Sequence, residues 1–113
     1  RIIIAGSRSF NNYALLKRKL DKLTKKLKKI VILSGGANGA DKLGEQWAYE
    51  NKVIYEIYHL DWSKGKQAGI LRNLEMIGSA DALIAFWNGT SPGTKHCIKA
   101  AKKQGLKVRV VRV

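Results

Sequence analysis

The chain has 113 residues, 45% of them apolar, with one proline, one cysteine and 22 basic against 8 acidic side chains, a net charge of +14. That length and apolar share suit one compact domain over residues 1–113 and exclude an intrinsically disordered segment, and no apolar run approaches the roughly 20 residues of a membrane span. The lone Cys97 excludes an internal disulfide and fits a reducing cytoplasm, the expected location, while the charge attracts anionic ligands and polyanions through its long-range field.

Arg1-Ile2-Ile3-Ile4-Ala5 is a continuous apolar, β-branched run, which predicts a strand buried on both faces. It ends in Gly6-Ser7-Arg8-Ser9-Phe10, small residues and an arginine at a strand-to-loop junction. Asn11 or Asn12 can cap the helix that follows. Leu16, Leu20, Leu23, Leu27 and Ile30 recur at steps of four and three, predicting a helix from about Tyr13 to Lys28 with one apolar stripe. Its other positions hold Lys17, Arg18, Lys19, Lys22, Lys25, Lys26, Lys28 and Lys29, with Asp21 the only acid. Such a face either meets nucleic acid or is simply solvated, and it carries no aromatics to stack bases.

The second strand, Ile30-Val31-Ile32-Leu33, stops at Ser34-Gly35-Gly36-Ala37-Asn38-Gly39-Ala40-Asp41, and a helix from Asp41 to Asn51 begins at once. Strand, glycine turn and helix N-terminus in that order make a place for an anion. Glycine lets the backbone approach a ligand closely, and the first helical amides lack intrahelical partners. The spacing G-G-x-x-G is neither the dinucleotide fingerprint nor a Walker A loop, so the turn either cradles a phosphate or is only tight.

Val53 to Tyr58 predicts the third strand, His59 to Lys66 a polar loop, and Gln67 to about Ser79 a helix bearing Ile70, Leu71, Leu74, Met76 and Ile77. Ala82 to Phe86 is a fourth buried strand. Asn88-Gly89-Thr90-Ser91-Pro92-Gly93-Thr94 turns into a helix from Lys95 to Gln104, with Gly105 at its C′ position, and Val108 to Val111 closes the sheet. Five alternations of strand and helix predict an α/β fold: one doubly wound, Rossmann-like parallel sheet of five strands with helices on both faces, in the order 3-2-1-4-5. Its switch point, between strands one and four, would bring together Gly6 to Arg8, Ser34 to Asp41 and Trp87 to Thr94.

Six ordered motifs carry a resemblance: Ile4-Ala5-Gly6-Ser7-Arg8; Ser34-Gly35-Gly36-Ala37-x-Gly39-Ala40-Asp41; Asp61-Trp62-x-x-x-Gly65-Lys66-x-Ala68-Gly69; Arg72-Asn73-x-x-Met76; Ala80-Asp81; and Gly93-Thr94. Together they resemble the YspA-type family of the SLOG superfamily, Rossmann-like domains similar to the DNA-processing protein DprA and to the LOG cytokinin-activating enzymes. The resemblance spans nearly the whole chain and implies binding of a nucleotide or nucleotide-derived ligand. LOG enzymes split the N-glycosidic bond of nucleoside 5′-monophosphates, and Arg72, Met76, Ala80 and Asp81 match their arginine helix. Their last turn ends in a catalytic glutamate, which here falls on Cys97. A thiol does not replace a carboxylate that steadies an oxocarbenium ion or activates water, which argues against LOG-type hydrolysis.

The candidate site follows. Gly35, Gly36, Ala37 and Gly39 either cradle phosphate or supply a tight turn, and Gly93 and Thr94 open a second helix where Thr94 can bind phosphate, cap the helix or do both. Arg72 is the expected cation, because guanidinium grips phosphate in a bidentate way; the other reading pairs it with Glu75. Arg8 is a second cation, and Gly6, Ser7 and Ser34 complete the strand ends, where each serine serves either a ligand or its own turn. Asp41 either favours its helix dipole or binds ribose and orients Arg72. Asn73 reads a base edge or caps a turn, and Trp62 or, better placed, Trp87 stacks a base or packs in the core. Asp81 is expected to fix structure at the far end of the sheet. No cofactor is implied, and His59, His96 and Cys97 form no zinc set.

The leading expectation is a nucleotide sensor or carrier domain with no membrane partner. One alternative is a LOG-like phosphoribohydrolase with Arg72 catalytic. Another is DprA-like single-stranded nucleic-acid binding through the Lys17 to Lys29 helix. Because LOG relatives are dimers, the resemblance also implies a homodimer.

Overall fold

A computed structural model describes residues 1–113. In chain order the elements are β1 (Ile2–Gly6), α1 (Tyr13–Thr24), β2 (Val31–Ser34), α2 (Ala40–Glu50), β3 (Ile54–Ile57), a 3-10 turn (Trp62–Gln67), α3 (Ala68–Gly78), β4 (Ala82–Trp87), α4 (Pro92–Lys103) and β5 (Lys107–Arg112). The strands form one parallel sheet in the order β3-β2-β1-β4-β5, the expected α/β topology. No helix is long and apolar enough to cross a membrane.

The core is split by the sheet, and β1 feeds both halves. Successive strand side chains point to opposite faces. Ile2 and Ile4 therefore join Leu16 and Leu20 of α1 and Ala40, Trp47 and Ala48 of α2 on one side. Ile3 joins Met76 and Ile77 of α3 and Cys97, Ile98 and Ala101 of α4 on the other. With partners on both faces, β1 has no use for polar alternation, which is why its sequence reads as an unbroken apolar run. At the sheet's opposite end Asp81 is tied into the strand starts, its amide donating to Arg1 O at 2.8 Å and its carbonyl accepting from Lys107 at 3.2 Å.

Three boundaries differ from the sequence expectation. α1 ends at Thr24, four residues short of Lys28. The Thr24 hydroxyl donates to Leu20 O at 2.6 Å, and Leu27 N closes a tighter turn on Thr24 O at 2.9 Å. Such back-bonding bends helices, and the lysines beyond gain nothing from continuing one beside their own kind. Leu27 consequently leaves the stripe and is 51% exposed. The expected loop over residues 59–66 contains a helical turn, capped where Asp61 Oδ1 accepts from Ser63 N at 3.1 Å. α4 starts at Pro92 and not at Lys95, because Ser91-Pro92 supplies an N-cap position followed by a proline at N1. The helix bearing Ile70, Leu71 and Leu74 points those three outward and buries Ala68, Asn73, Met76 and Ile77.

Gly44 sets how closely α2 lies on β1. A Cβ there would come within 2.7 Å of Ile4 Cγ2 and 2.9 Å of Ile4 Cβ, whereas a Cβ at Gly69 meets no atom within 4 Å. Gly44→Ala should therefore lose about 1 kcal/mol net, overpacking outweighing helix propensity, while Gly69→Ala gains up to about 1 kcal/mol. Urea unfolding midpoints moving in opposite directions are the expected result. Two increases would show that α2 slides freely on β1.

Candidate functional site

A cavity of ≈ 370 Å³ opens at the carboxyl ends of β1 and β4, the switch point of the sheet. Four segments line it: the end of β1 with Arg8 and Ser9 beyond it, the glycine turn after β2 with Asp41, the second and third turns of α3, and the start of α4. Of the expected site residues, Gly6, Arg8, Ala37, Asp41, Arg72, Asn73, Gly93 and Thr94 line this cavity. Ser7, Ser34, Gly35, Gly36, Gly39 and Trp87 do not.

The glycine turn is folded around its own side chains. Ser34, fully buried, accepts from Gly36 N at 3.0 Å and donates to Glu45 Oε2 at 2.6 Å. Asp41 Oδ2 accepts from Ala37 N at 3.3 Å. Two amides of the turn thus already have oxygen partners. The glycines serve close approach. Gly39, at φ 82°, has no room for a Cβ because Ser7 O and Arg8 O (2.6 Å) lie against it. At Gly35 a Cβ would fall 2.8 Å from Arg72 Cζ and 2.9 Å from Asp41 Oδ2, so its absence lets these two groups flank the backbone.

Arg72 reaches across from α3 and donates Nη1 to Gly35 O at 2.7 Å and Nε to Asn73 Oδ1 at 3.3 Å. Nη2 remains without a protein acceptor. Asn73 is 9% exposed, and its amide NH2 likewise has no acceptor in the protein. Arg72 is not paired with Glu75.

The start of α4 is open. Ser91 holds the N-cap position but turns its hydroxyl to Ser7 Oγ and Asn88 Oδ1, both at 3.1 Å, and makes no cap bond. The amides of Gly93 and Thr94 have no backbone acceptor. Thr94 is 7% exposed, and its hydroxyl has no protein partner either. Nothing lies within 4 Å of a Cβ at Gly93, so the helix is bare on the cavity side. Free amides at a helix N-terminus, with two guanidinium groups nearby, give this end of the cavity a positive potential.

Asp41 is the only acid in the cavity wall. Burial pushes its carboxyl up from the ordinary 3.8 to about 6; the Ala37 amide and the Arg72 charge pull the other way, and Glu45 adds to the rise. Cys97 sits at the back of the cavity, 2% exposed, and burial drives its thiol up to about 11, so it stays protonated at neutral pH.

Trp87 lies elsewhere. Its indole Nε1 donates to Ser91 O at 3.1 Å and its ring carries Arg112, with Cζ 5.6 Å from the centroid. The sequence reading placed it at the strand end correctly, but the side chain braces the β4–α4 turn. Trp62 is 76% exposed on the 3-10 turn. Ser7, 1% exposed, receives the Asn88 amide at 3.0 Å, so Ser7 serves the turn after β4 as Ser34 serves its own. Ser9, Ser91 and Glu45 were missed. Ser91 was legible as the residue before Pro92-Gly93, and Glu45 as the residue one helical turn beyond Asp41.

Fold and cavity together define a Rossmann-like protein with a cleft at the switch point of its sheet. Residues 1–65 match the YspA, cpYpsA-related SLOG family, and the chain belongs to that family. It is also 38% identical over 116 residues to the Gene 61 protein of Mycobacterium phage D29, covering 96% of this chain and 93% of that protein. No solved structure gives a significant match. Membership points to nucleotide-related binding or processing. The family match takes in two of the four cavity segments, those after β1 and β2; Arg72 and the start of α4 lie beyond it.

The raised carboxyl of Asp41 has a signed consequence. Between about pH 4 and 6 the folded protein keeps a proton that the unfolded chain has released, so this group's contribution to stability falls as pH rises through that window. The full effect is roughly 3 kcal/mol. Asp21, Glu50, Asp61 and Asp81 are shifted downward and act in the opposite sense, so the difference between wild type and Asp41→Asn is the quantity to follow. Unfolding free energies from pH 4 to 7.5 should show the variant gaining on wild type by that amount. A difference constant with pH would mean that Asp41 titrates as an ordinary aspartate.

Proposed function

We propose that the cleft binds a nucleotide or nucleotide-derived ligand, with its phosphate on the start of α4 and beneath Arg72. The observation that carries this reading is the open first turn of α4: two amides and the Thr94 hydroxyl without protein partners, beside a helix cap whose side chain is turned away. Arg8 and the free Nη2 of Arg72 supply positive charge to the same space. Asn73, with an unengaged amide, provides the polar group that would read a base or ribose. SLOG membership supports nucleotide chemistry over an unrelated anion.

A second reading has one specific support. If the cleft hydrolyses a nucleoside monophosphate, Asp41 is its acid, because it lines the cavity and keeps a proton to about pH 6, well above an ordinary carboxyl, while Cys97 offers only a neutral thiol. One experiment separates the two. Purified protein is incubated with a mixed mononucleotide and cyclic-nucleotide pool, and retained and released species are identified by mass spectrometry. Intact retained nucleotide, bound at least 10-fold more weakly by Arg72→Ala of unchanged circular dichroism, is the expected result. Free base and ribose phosphate, lost in Asp41→Asn, would replace binding with hydrolysis. Neither retention nor release would end both.

The homodimer implied by the resemblance is proposed on the outward face of α3. Ile70, Leu71 and Leu74 are 47%, 39% and 44% exposed there, and the helix carries no lysine in a chain of net charge +14. Light scattering should give twice the chain mass for wild type and the single mass for Leu71→Glu. A wild-type monomer at millimolar concentration would remove the dimer.

A further inference from the structure

A second concavity, ≈ 470 Å³ in volume, lies between α1 and β5. Four cationic side chains face it: Arg18, Lys19 and Lys22 from the helix and Arg109 from the strand; Arg112 borders it as well, but its guanidinium lies over Trp87, which packs on the other face of the sheet. Its apolar floor is made of Leu15 and Leu23 from α1 and Val111 from β5, all packed on the same side of the sheet.

The fold brings these groups together for simple reasons. α1 buries Leu16 and Leu20 against the sheet, so residues 18, 19 and 22 fall on its flank, with Arg18 and Lys22 one turn apart. β5 is an edge strand, and Val111 packs with the α1 side of the core, which places Arg109, two residues earlier, on that same face.

No carboxylate borders the groove. The one acid on α1, Asp21, is engaged by Lys17 at 2.8 Å and by the Trp47 indole at 2.9 Å. Arg18, Lys19, Lys22, Arg109 and Arg112 have no ion-pair partner. Arg112 adds no charge to that space: its guanidinium is held over the Trp87 ring and against Gly89, where φ is 89° and a Cβ would collide with it.

The arginines are distributed with purpose. The chain has six: Arg1, Arg8, Arg18, Arg72, Arg109 and Arg112. Arg1 pairs with Glu56, Arg8 and Arg72 line the cleft, Arg112 lies over Trp87, and the remaining two, Arg18 and Arg109, face this groove. Arginine is the side chain suited to phosphate, whereas the lysines of a solvated face are interchangeable. Four like charges around one groove repel one another, and a single small anion relieves only part of that. A chain of phosphates neutralises them together and releases the counterions they hold.

We propose that the groove between α1 and β5 holds the sugar–phosphate backbone of a nucleic acid, at a site separate from the cleft. Recognition is independent of sequence, because the floor offers no aromatic ring on which a base could stack. The site differs from a lysine helix acting alone: Lys25, Lys26, Lys28 and Lys29 lie beyond the end of α1 and do not border it.

The test uses the intact chain and a 5′-labelled 20-nucleotide single strand, followed by fluorescence anisotropy from 50 to 300 mM salt. The double variant Arg18→Gln/Arg109→Gln is compared with Lys99→Gln/Lys102→Gln, which removes equal charge from exposed positions on α4. The groove variant should bind at least 10-fold more weakly at 50 mM salt, with the slope of log affinity against log salt reduced by about 1.4, two contacts at roughly 0.7 each. The α4 variant should change affinity less than threefold. Equal losses in the two variants would reduce the effect to bulk charge and overturn the site. No binding by wild type at 50 mM salt would also overturn it. So would tighter, groove-dependent binding to phosphatidylserine vesicles than to the oligonucleotide, which would make the partner a membrane surface.

Discussion

A side chain at Gly6 would strike the carbonyl oxygen of Phe86 and come within 2.8 Å of the Ala40 Cβ. This close approach joins the ends of β1 and β4 to the start of α2. Ser7 then donates its amide to Phe86 O at 2.9 Å and accepts the Asn88 amide on its hydroxyl, while its carbonyl faces Phe10 N and Ala40 N. One residue therefore satisfies backbone groups from three segments that leave the sheet in different directions. The cleft begins where this stitching stops, with Arg8 and Ser9 on one side and Ser91 to Thr94 on the other. A parallel sheet whose central strand has non-consecutive neighbours must part its loops at this point. Gly6 decides how narrow the parting is.

Within the cleft, a carboxyl and a guanidinium flank one glycine without forming an ion pair. Asp41 is largely desolvated, and the single charge of Arg72 does not offset that burial, so the carboxyl holds its proton to about pH 6. The consequence is asymmetric. An arriving phosphate meets Arg72, Arg8 and a bare helix terminus, opposed by one acid that can itself take up a proton. An anion bound nearby raises that carboxyl further, which lowers the repulsion it meets. Ligand charge and Asp41 protonation are thus coupled by electrostatics alone.

The sheet order was legible because β-branched runs and amphipathic runs alternated without ambiguity, and the apolar run of β1 could only be the centre of a two-sided sheet. Arg72, Gly93 and Thr94 were legible as chemistry in the right order along the chain, and the fold brings them to one cavity. What periodicity could not show was where side chains point once tertiary contacts compete. Leu27 continues the α1 stripe in sequence, yet the Thr24 hydroxyl and the return to β2 end the helix first. Trp87 has the position of a base stacker, but its indole N–H needed an acceptor and found Ser91 O. The glycines after β2 have the composition of a phosphate turn, yet the amides of Gly36 and Ala37 close on Ser34 and Asp41. Composition reports which conformations are allowed; it does not report which polar partner fills them.

Charge shows the same division between composition and placement. The excess of +14 is a property of the chain, and spread over a surface it would say only that anions are welcome. The fold sorts it. Lysines populate the solvent faces of α1 and α4 and the turn after α1, where long flexible stems keep ammonium groups hydrated. Guanidinium groups go where backbone or ring contacts fix them: Arg72 on Gly35 O, Arg112 over Trp87. The two fixed arginines lie on either side of the same β4–α4 turn, since Trp87 supports Arg112 and donates to Ser91, and Ser91 leaves the start of α4 uncapped. The turn that borders the cleft is therefore also the turn that fixes Arg112. Its central glycine, Gly89, takes a positive φ with the Arg112 guanidinium packed where a side chain would be, so the backbone conformation of one short segment holds a guanidinium as well as the cleft wall.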